Sequence, residues 1–355
     1  MPTLTLDMGE GAKIPVVTEV GQGRSRLVTG TTSTRHGLVE FGSMQRCFAL
    51  TLALGLACRG TTSLPPPPAP PPPLPARSVF PADNAWNRDI SADSVEPKSD
   101  SLIARCGGSA SLHPDFGTVY AGVPWGIPFI TVSGSQQRVP LSFAYAHESD
   151  PGPYPIPPDA PIEGGAAASG DRHVLVVDVD NWMLYELFDA HSVGGGASWT
   201  AGSGAVFDLG SDALRPDGWT SADAAGLPIF PGLARYAEVA AGRIAHALRF
   251  TCPITRRAYV PPARHFASTQ SDSFLPPMGM RVRLKAGVDI SGFPADVQVI
   301  LTALKTYGMM LADNGGPFFV SGAPDTRWND GNIDTMKRLH GTDFEVVRMT
   351  GLVVR

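Results

Sequence analysis

The chain has 355 residues, with 39 Gly, 34 Pro, a charged fraction of 17% and a formal net charge of −5. No basic run or basic–aromatic patch is present, which argues against nucleic acid as a partner. Four cysteines are too few for a disulfide scaffold, and abundant turn formers between short Val, Leu, Ile and Phe runs point to a β-rich protein.

In chain order, the first feature is Met44-Gln45-Arg46 before an apolar run that ends Gly55-Leu56-Ala57-Cys58. A basic residue, a short apolar core and small residues before a cleavage point make a secretory signal. The core is too short for a permanent membrane span, which needs about 20 residues. Cys58, directly after Ala57, resembles the lipid-attachment cysteine of bacterial lipoproteins, with Gly55 where that motif usually has Leu. A plain secretory cleavage nearby is the competing reading. Signal peptides begin at the N-terminus, so residues 1–43 are expected to be a mis-called extension and 44–57 the signal. Residues 58–77 then hold the attachment cysteine and a proline-rich linker, which as polyproline II acts as a semi-rigid spacer. The expected location is a bacterial cell envelope or surface, with full secretion as the alternative and membrane contact through the lipid alone.

Residues 78–355 read as one domain, near the upper end of the single-domain range. Ser78–Gly108 is polar and irregular, pinned by Trp86 and Ile90. Val119–Ala144 reads as strands broken at Pro124, Pro128 and Pro140, and Ser149–Gly165 is too proline-rich for regular structure. A long loop of that kind lines a site or covers an edge.

Val174–Val177 and Trp182–Phe188 flank the turn-prone Asp178–Asn181, which predicts a β-hairpin. Alternation along the strands puts Asp171, His173, Leu175 and Val177 on the same side as Trp182, Leu184, Glu186 and Phe188. Asp171, His173 and Glu186 thus share an apolar face, where ionisable groups either pair or do chemistry. A purely structural Asp–His–Glu network is the alternative.

Further on, Gly204–Leu209 reads as a strand and Arg235–Ala241 as a short helix. Gly242–Thr251 reads as a strand with Ile244, His246, Leu248 and Phe250 on one face and Arg243 and Arg249 on the other. His265 falls in a loop. Met280–Ala286 alternates, so Arg281, Arg283 and Lys285 project from one side of a strand. Pro294–Tyr307 is the one clear helix, with Val297, Ile300, Leu301 and Leu304 at helical spacing and Gly308 ending it. Asp313–Gly316 reads as a hairpin turn between Met309–Ala312 and Phe318–Val320. The fold expected is mainly β: an antiparallel, jelly-roll-like β-sandwich with that helix packed outside it.

The blocks PIPPDAPIEGG, DRHVLVVD, YELF, HALRFT, PARH and ADNG, taken in this order, resemble a set of secreted bacterial proteins of unassigned function. The resemblance implies secretion and a single domain, and it carries no mechanism.

His173, Glu186, Asp171, His246 and His265 are the catalytic candidates. Trp182, Trp199 and Trp219 are candidate sugar platforms, and Arg281, Arg283 and Lys285 a cation row for carboxylates. Metal-ligand spacings, nucleotide loops and a serine-nucleophile elbow are all lacking, so neither a metal nor another cofactor is expected. Cys106 and Cys252 can pair in an oxidising compartment. The expected partner is a polysaccharide and the expected state a monomer. The leading reading is a lyase acting on uronate polysaccharide, with His173 or His246 as base and the cation row stabilising charge on the uronate carboxylate. A glycoside hydrolase using Glu186 and Asp171, and a non-catalytic glycan-binding or structural lipoprotein, are the alternatives.

Overall fold

The period-2 alternation around Asp178 folds as expected, into two antiparallel strands in register, with Leu175 opposite Glu186 and Val177 opposite Leu184. The computed structural model describes residues 72–355. The extension, the signal segment and Cys58 lie outside the described residues.

Ten strands form the two larger sheets: β1 (His113–Asp115), β2 (Phe129–Val132), β3 (Val174–Asp178), β4 (Met183–Phe188), β5 (Ser203–Asp208), β6 (Leu248–Cys252), β7 (Arg281–Leu284), β8 (Met309–Asn314), β9 (Phe319–Ser321) and β10 (Phe344–Val346). Spatial order is β5-β4-β3-β2 in the four-stranded sheet and β1-β9-β6-β8-β7-β10 in the six-stranded one. A three-stranded sheet is built from Leu141–Phe143, Ser198–Ala201 and His191–Val193.

The β3–β4 hairpin divides the interior. Leu175, Val177, Leu184 and Phe207 share one core with Leu248, Phe250, Val282 and Leu311 of the six-stranded sheet. The opposite face, Val174, Val176, Tyr185 and Leu187, packs with Trp199, Tyr154 and Ile156 in a second core. Burial on both faces explains why β3 reads as a nearly unbroken apolar run.

The fold is therefore mainly β and sandwich-like. Its sheets are mixed: β3 runs parallel to β2, β6 to β8, and β1 to β9. The main helix, α2 (Ala295–Thr306), buries Val297, Ile300, Leu301 and Leu304 as its spacing predicts. Gly308 follows it at φ +67°, where a Cβ would lie 2.2 Å from the Val282 carbonyl oxygen, so only glycine fits. A shorter helix, α1 (Ser99–Arg105), forms in the stretch read as irregular. Cys106, which caps it, is disulfide-bonded to Cys252 at the end of β6.

One expected hairpin is absent. β8 and β9 flank Asp313–Gly316 but do not pair with each other, because β6 lies between them. The Gly315 N–H donates to the Cys252 carbonyl and the Phe318 N–H to that of Thr251. The glycine-rich link thus arches over the end of β6.

Candidate functional site

The site is assembled around one short span, Ala222-Asp223-Ala224. His173, just before β3, donates from Nε2 to the Ala222 carbonyl at 3.0 Å and from Nδ1 to Glu163 at 2.6 Å. Arg249, on β6, holds the Asp223 carboxylate bidentately at 3.0 and 2.9 Å. It also donates to Ser321 on β9 at 2.5 Å. His265 donates from Nδ1 to the Ala224 carbonyl at 2.8 Å. Glu186 on β4 accepts from the backbone N–H groups of Ile229 and Phe230 at 2.9–3.0 Å.

His173 and His265 thus meet the same short span, Glu186 meets the amides a few residues beyond it, and Asp171 lies close enough for its charge to act on His173 and Asp313. Their roles differ from those expected. Both ring nitrogens of His173 face acceptors, so the imidazole is a cation and not a free base. Burial opposes that charge, but the Glu163 carboxylate outweighs it and pushes the pKa up to about 9. Glu186 is fully buried. Burial pushes it up to about 7 against its backbone donors, and with no exposed atom it cannot reach a substrate.

His246 does not join the cluster. It precedes β6 rather than lying in it, and it contacts Arg235 at 3.0 Å and Glu238 at 3.2 Å. Burial works against ionisation of Glu238, yet Arg235 and His246 hold it down at about 2.

The cation row is occupied by the protein's own acceptors. Arg281 donates to the carbonyls of Tyr307, Ala85 and Arg88, and burial together with Arg88 pushes it down to about 9. Arg283 binds Glu345 at 2.8 Å and the Ile90 carbonyl, and Lys285 binds the Thr342 carbonyl. The row starts beside Met310 and runs antiparallel to β8, away from Asp313.

Two of the expected platforms are buried. Trp199 is 2% exposed, and Trp182 is 7% exposed under the Arg77 guanidinium. Trp219 is half-buried beside Arg215.

Three groups that sequence reasoning did not single out belong to the site: Asp223, Glu163 and Asp313. Asp313 is half-buried at the C-terminal end of β8, beside Thr251 of the parallel strand β6. The carboxyl ends of parallel strands are where open sheets place ligands. Burial and the charges of Asp223 and Asp171 push the Asp313 carboxyl up to about 7. Among the described residues its carboxyl accepts one hydrogen bond, from the Asn314 N–H, and the Asp171 side chain makes none. Glu163, Asp223 and Glu186 all have close partners, which leaves Asp171 and Asp313 as the uncommitted carboxyls of the cluster.

The His173–Glu163 pair gives a signed pH dependence. A folded-state pKa of about 9, above the 6.5 of an ordinary histidine, means stability that is complete below pH 6.5. It is lost as the pH rises through 9. The melting temperature should fall between those pH values, and His173→Gln should flatten that limb. An unchanged slope in the variant would show that His173 is not the titrating group.

Comparison with family models, curated proteins and solved structures finds no match for this chain.

Proposed function

We propose that the domain hydrolyses glycosidic bonds of a polysaccharide, with Asp313 as general acid and Asp171 as the second carboxyl. The observation that carries this is the pair of uncommitted carboxyls in a cluster where the neighbouring ions are locked together. Glycoside hydrolysis needs one carboxyl that holds its proton near neutral pH and another that acts on the opposite side of the bond. Burial and its acidic neighbours raise Asp313 to about 7, which suits the proton-holding role. The hydrolase first expected of Glu186 and Asp171 thus keeps Asp171 and replaces Glu186.

The uronate lyase has less support. Of its two candidate bases, His173 is a cation and His246 is engaged by Arg235 and Glu238 away from the cluster, and its cation row holds backbone carbonyls and Glu345. Envelope tethering through Cys58 remains part of the proposal, and the Cys106–Cys252 disulfide suits an oxidising compartment.

The test is a screen of purified protein against neutral, amino and uronate polysaccharides, reading new reducing ends and ultraviolet absorbance. Reducing ends without absorbance support hydrolysis. Absorbance from unsaturated products would restore the lyase, and no product from any class would leave the glycan-binding alternative.

A further inference from the structure

An aromatic patch stands on the same sheet face as Asp313. Register places His113 opposite Phe319, Phe319 opposite Thr251 and Thr251 opposite Asp313, across four adjacent strands. Cross-strand neighbours share a face, and strands lie about 4.8 Å apart, so Phe319 is roughly 10 Å from Asp313 and His113 roughly 14 Å. All four residues are half-buried, whereas Pro114, Val320, Phe250 and Ala312 beside them are buried. The row is thus a strip that reaches solvent at its surface, not a core layer.

Its outer end is built of rings. His113 stacks on Phe319 with centroids 3.9 Å apart, and Trp125 stands 6.4 Å from His113. Tyr120, 68% exposed, lies 5.8 Å from Trp125. The geometry is fixed: the Trp125 indole donates to Asp115 at 3.1 Å. The hairpin Val119–Tyr120/Val123–Pro124 turns through Ala121 and Gly122, both at positive φ. Asp330 anchors its base through Thr118. Gly316 clears the Phe319 ring, since a Cβ there would lie 2.3 Å from it.

We propose that Tyr120 and Trp125, backed by the His113–Phe319 stack, form a stacking platform that seats pyranose rings of a glycan chain running along the strip to Asp313. This rests on the hydrolase reading and extends it to substrate class. Sugar rings present apolar C–H faces that aromatic faces receive, and fixed rings hold them at low entropic cost. The charge around the strip selects among glycans. Asp115, Asp171 and Asp313 border it, while the nearby cations Arg249 and His173 are neutralised by Asp223 and Glu163. A polyuronate meets like charge there, so a neutral or amino-sugar chain is the ligand.

The experiment is calorimetric titration of the full chain carrying Asp313→Asn, so that bound sugar is not cleaved, with cellohexaose, chitosan hexamer and hexagalacturonate. Cellohexaose or chitosan hexamer should bind. Tyr120→Ala and Trp125→Ala should each weaken that binding roughly tenfold, the scale of one lost stacking contact. Phe274→Ala, an exposed ring outside the strip, should not. The platform is overturned if neither hexamer binds, if only hexagalacturonate binds, or if both strip variants bind like their parent. Ring-dependent binding without any reducing ends from the unmutated chain would sink hydrolysis and leave the platform standing. Hydrolysis with binding indifferent to both rings would do the reverse.

Discussion

Asp313→Asn should lower glycan hydrolysis by roughly 10²–10⁴-fold, the range associated with a positioned general acid, while the protein stays folded. Asparagine matches the carboxyl in shape and can still accept from the Asn314 N–H. No cation is orphaned by the change, because Asp313 binds none among the described residues. Only the transferable proton is lost. In the unmutated chain an acid raised to about 7 must be protonated to act, so turnover should fall as the pH rises through that value. Both statements are checked by reducing-end release against pH, with melting curves as the folding control. A variant that turns over at the parental rate would remove Asp313 from the mechanism.

Arg249→Met should destabilise the domain by roughly 3–5 kcal/mol, the usual cost of breaking a buried ion pair from one side. Asp223 has no exposed side-chain surface, and its bidentate partner is the guanidinium. Methionine keeps much of the volume but leaves the carboxylate dry and unpaired, with Ser321 also losing its donor. Burial already pushes the Asp223 carboxyl above its usual range even with Arg249 in place. Adding Asp223→Asn to Arg249→Met should therefore recover part of the loss, since a neutral amide is easier to bury. Urea unfolding measures both. A loss below about 1 kcal/mol, as for an exposed pair, would mean that water reaches the carboxylate.

What the sequence made legible follows from periodicity. The β3–β4 hairpin, its two faces, the main helix and the Gly308 stop depend on local spacing and came through. Residues tied to backbone conformation alone did not. Asp313 sits in a string that spells a hairpin turn, and only the insertion of β6 turns it into a strand end. Asp223 is surrounded by small residues with no periodic signal, and its meaning depends on Arg249, 26 positions away. Charge alternation along β7 is real, yet the acceptors that occupy it come from distant loops around Ala85, Ile90 and Thr342. One local signal was available for Glu163: a charged residue in a proline-rich loop that was already expected to line a site.

The grip on Ala222–Ala224 has a consequence for motion. Although the segment has no regular structure, its carbonyls, its carboxylate and the following amides are held by groups from β4, β6 and β8, by His173 just before β3 and by the His265 loop. The Ala225 N–H donates to Ala312 on β8, and those of Ile229 and Phe230 to Glu186. Peeling it away would break contacts to both large sheets at once, so it has no low-energy local opening of the kind surface loops have. The amide protons of Ala225, Ile229 and Phe230 should exchange with solvent only when the whole domain unfolds, as slowly as those of the central strands.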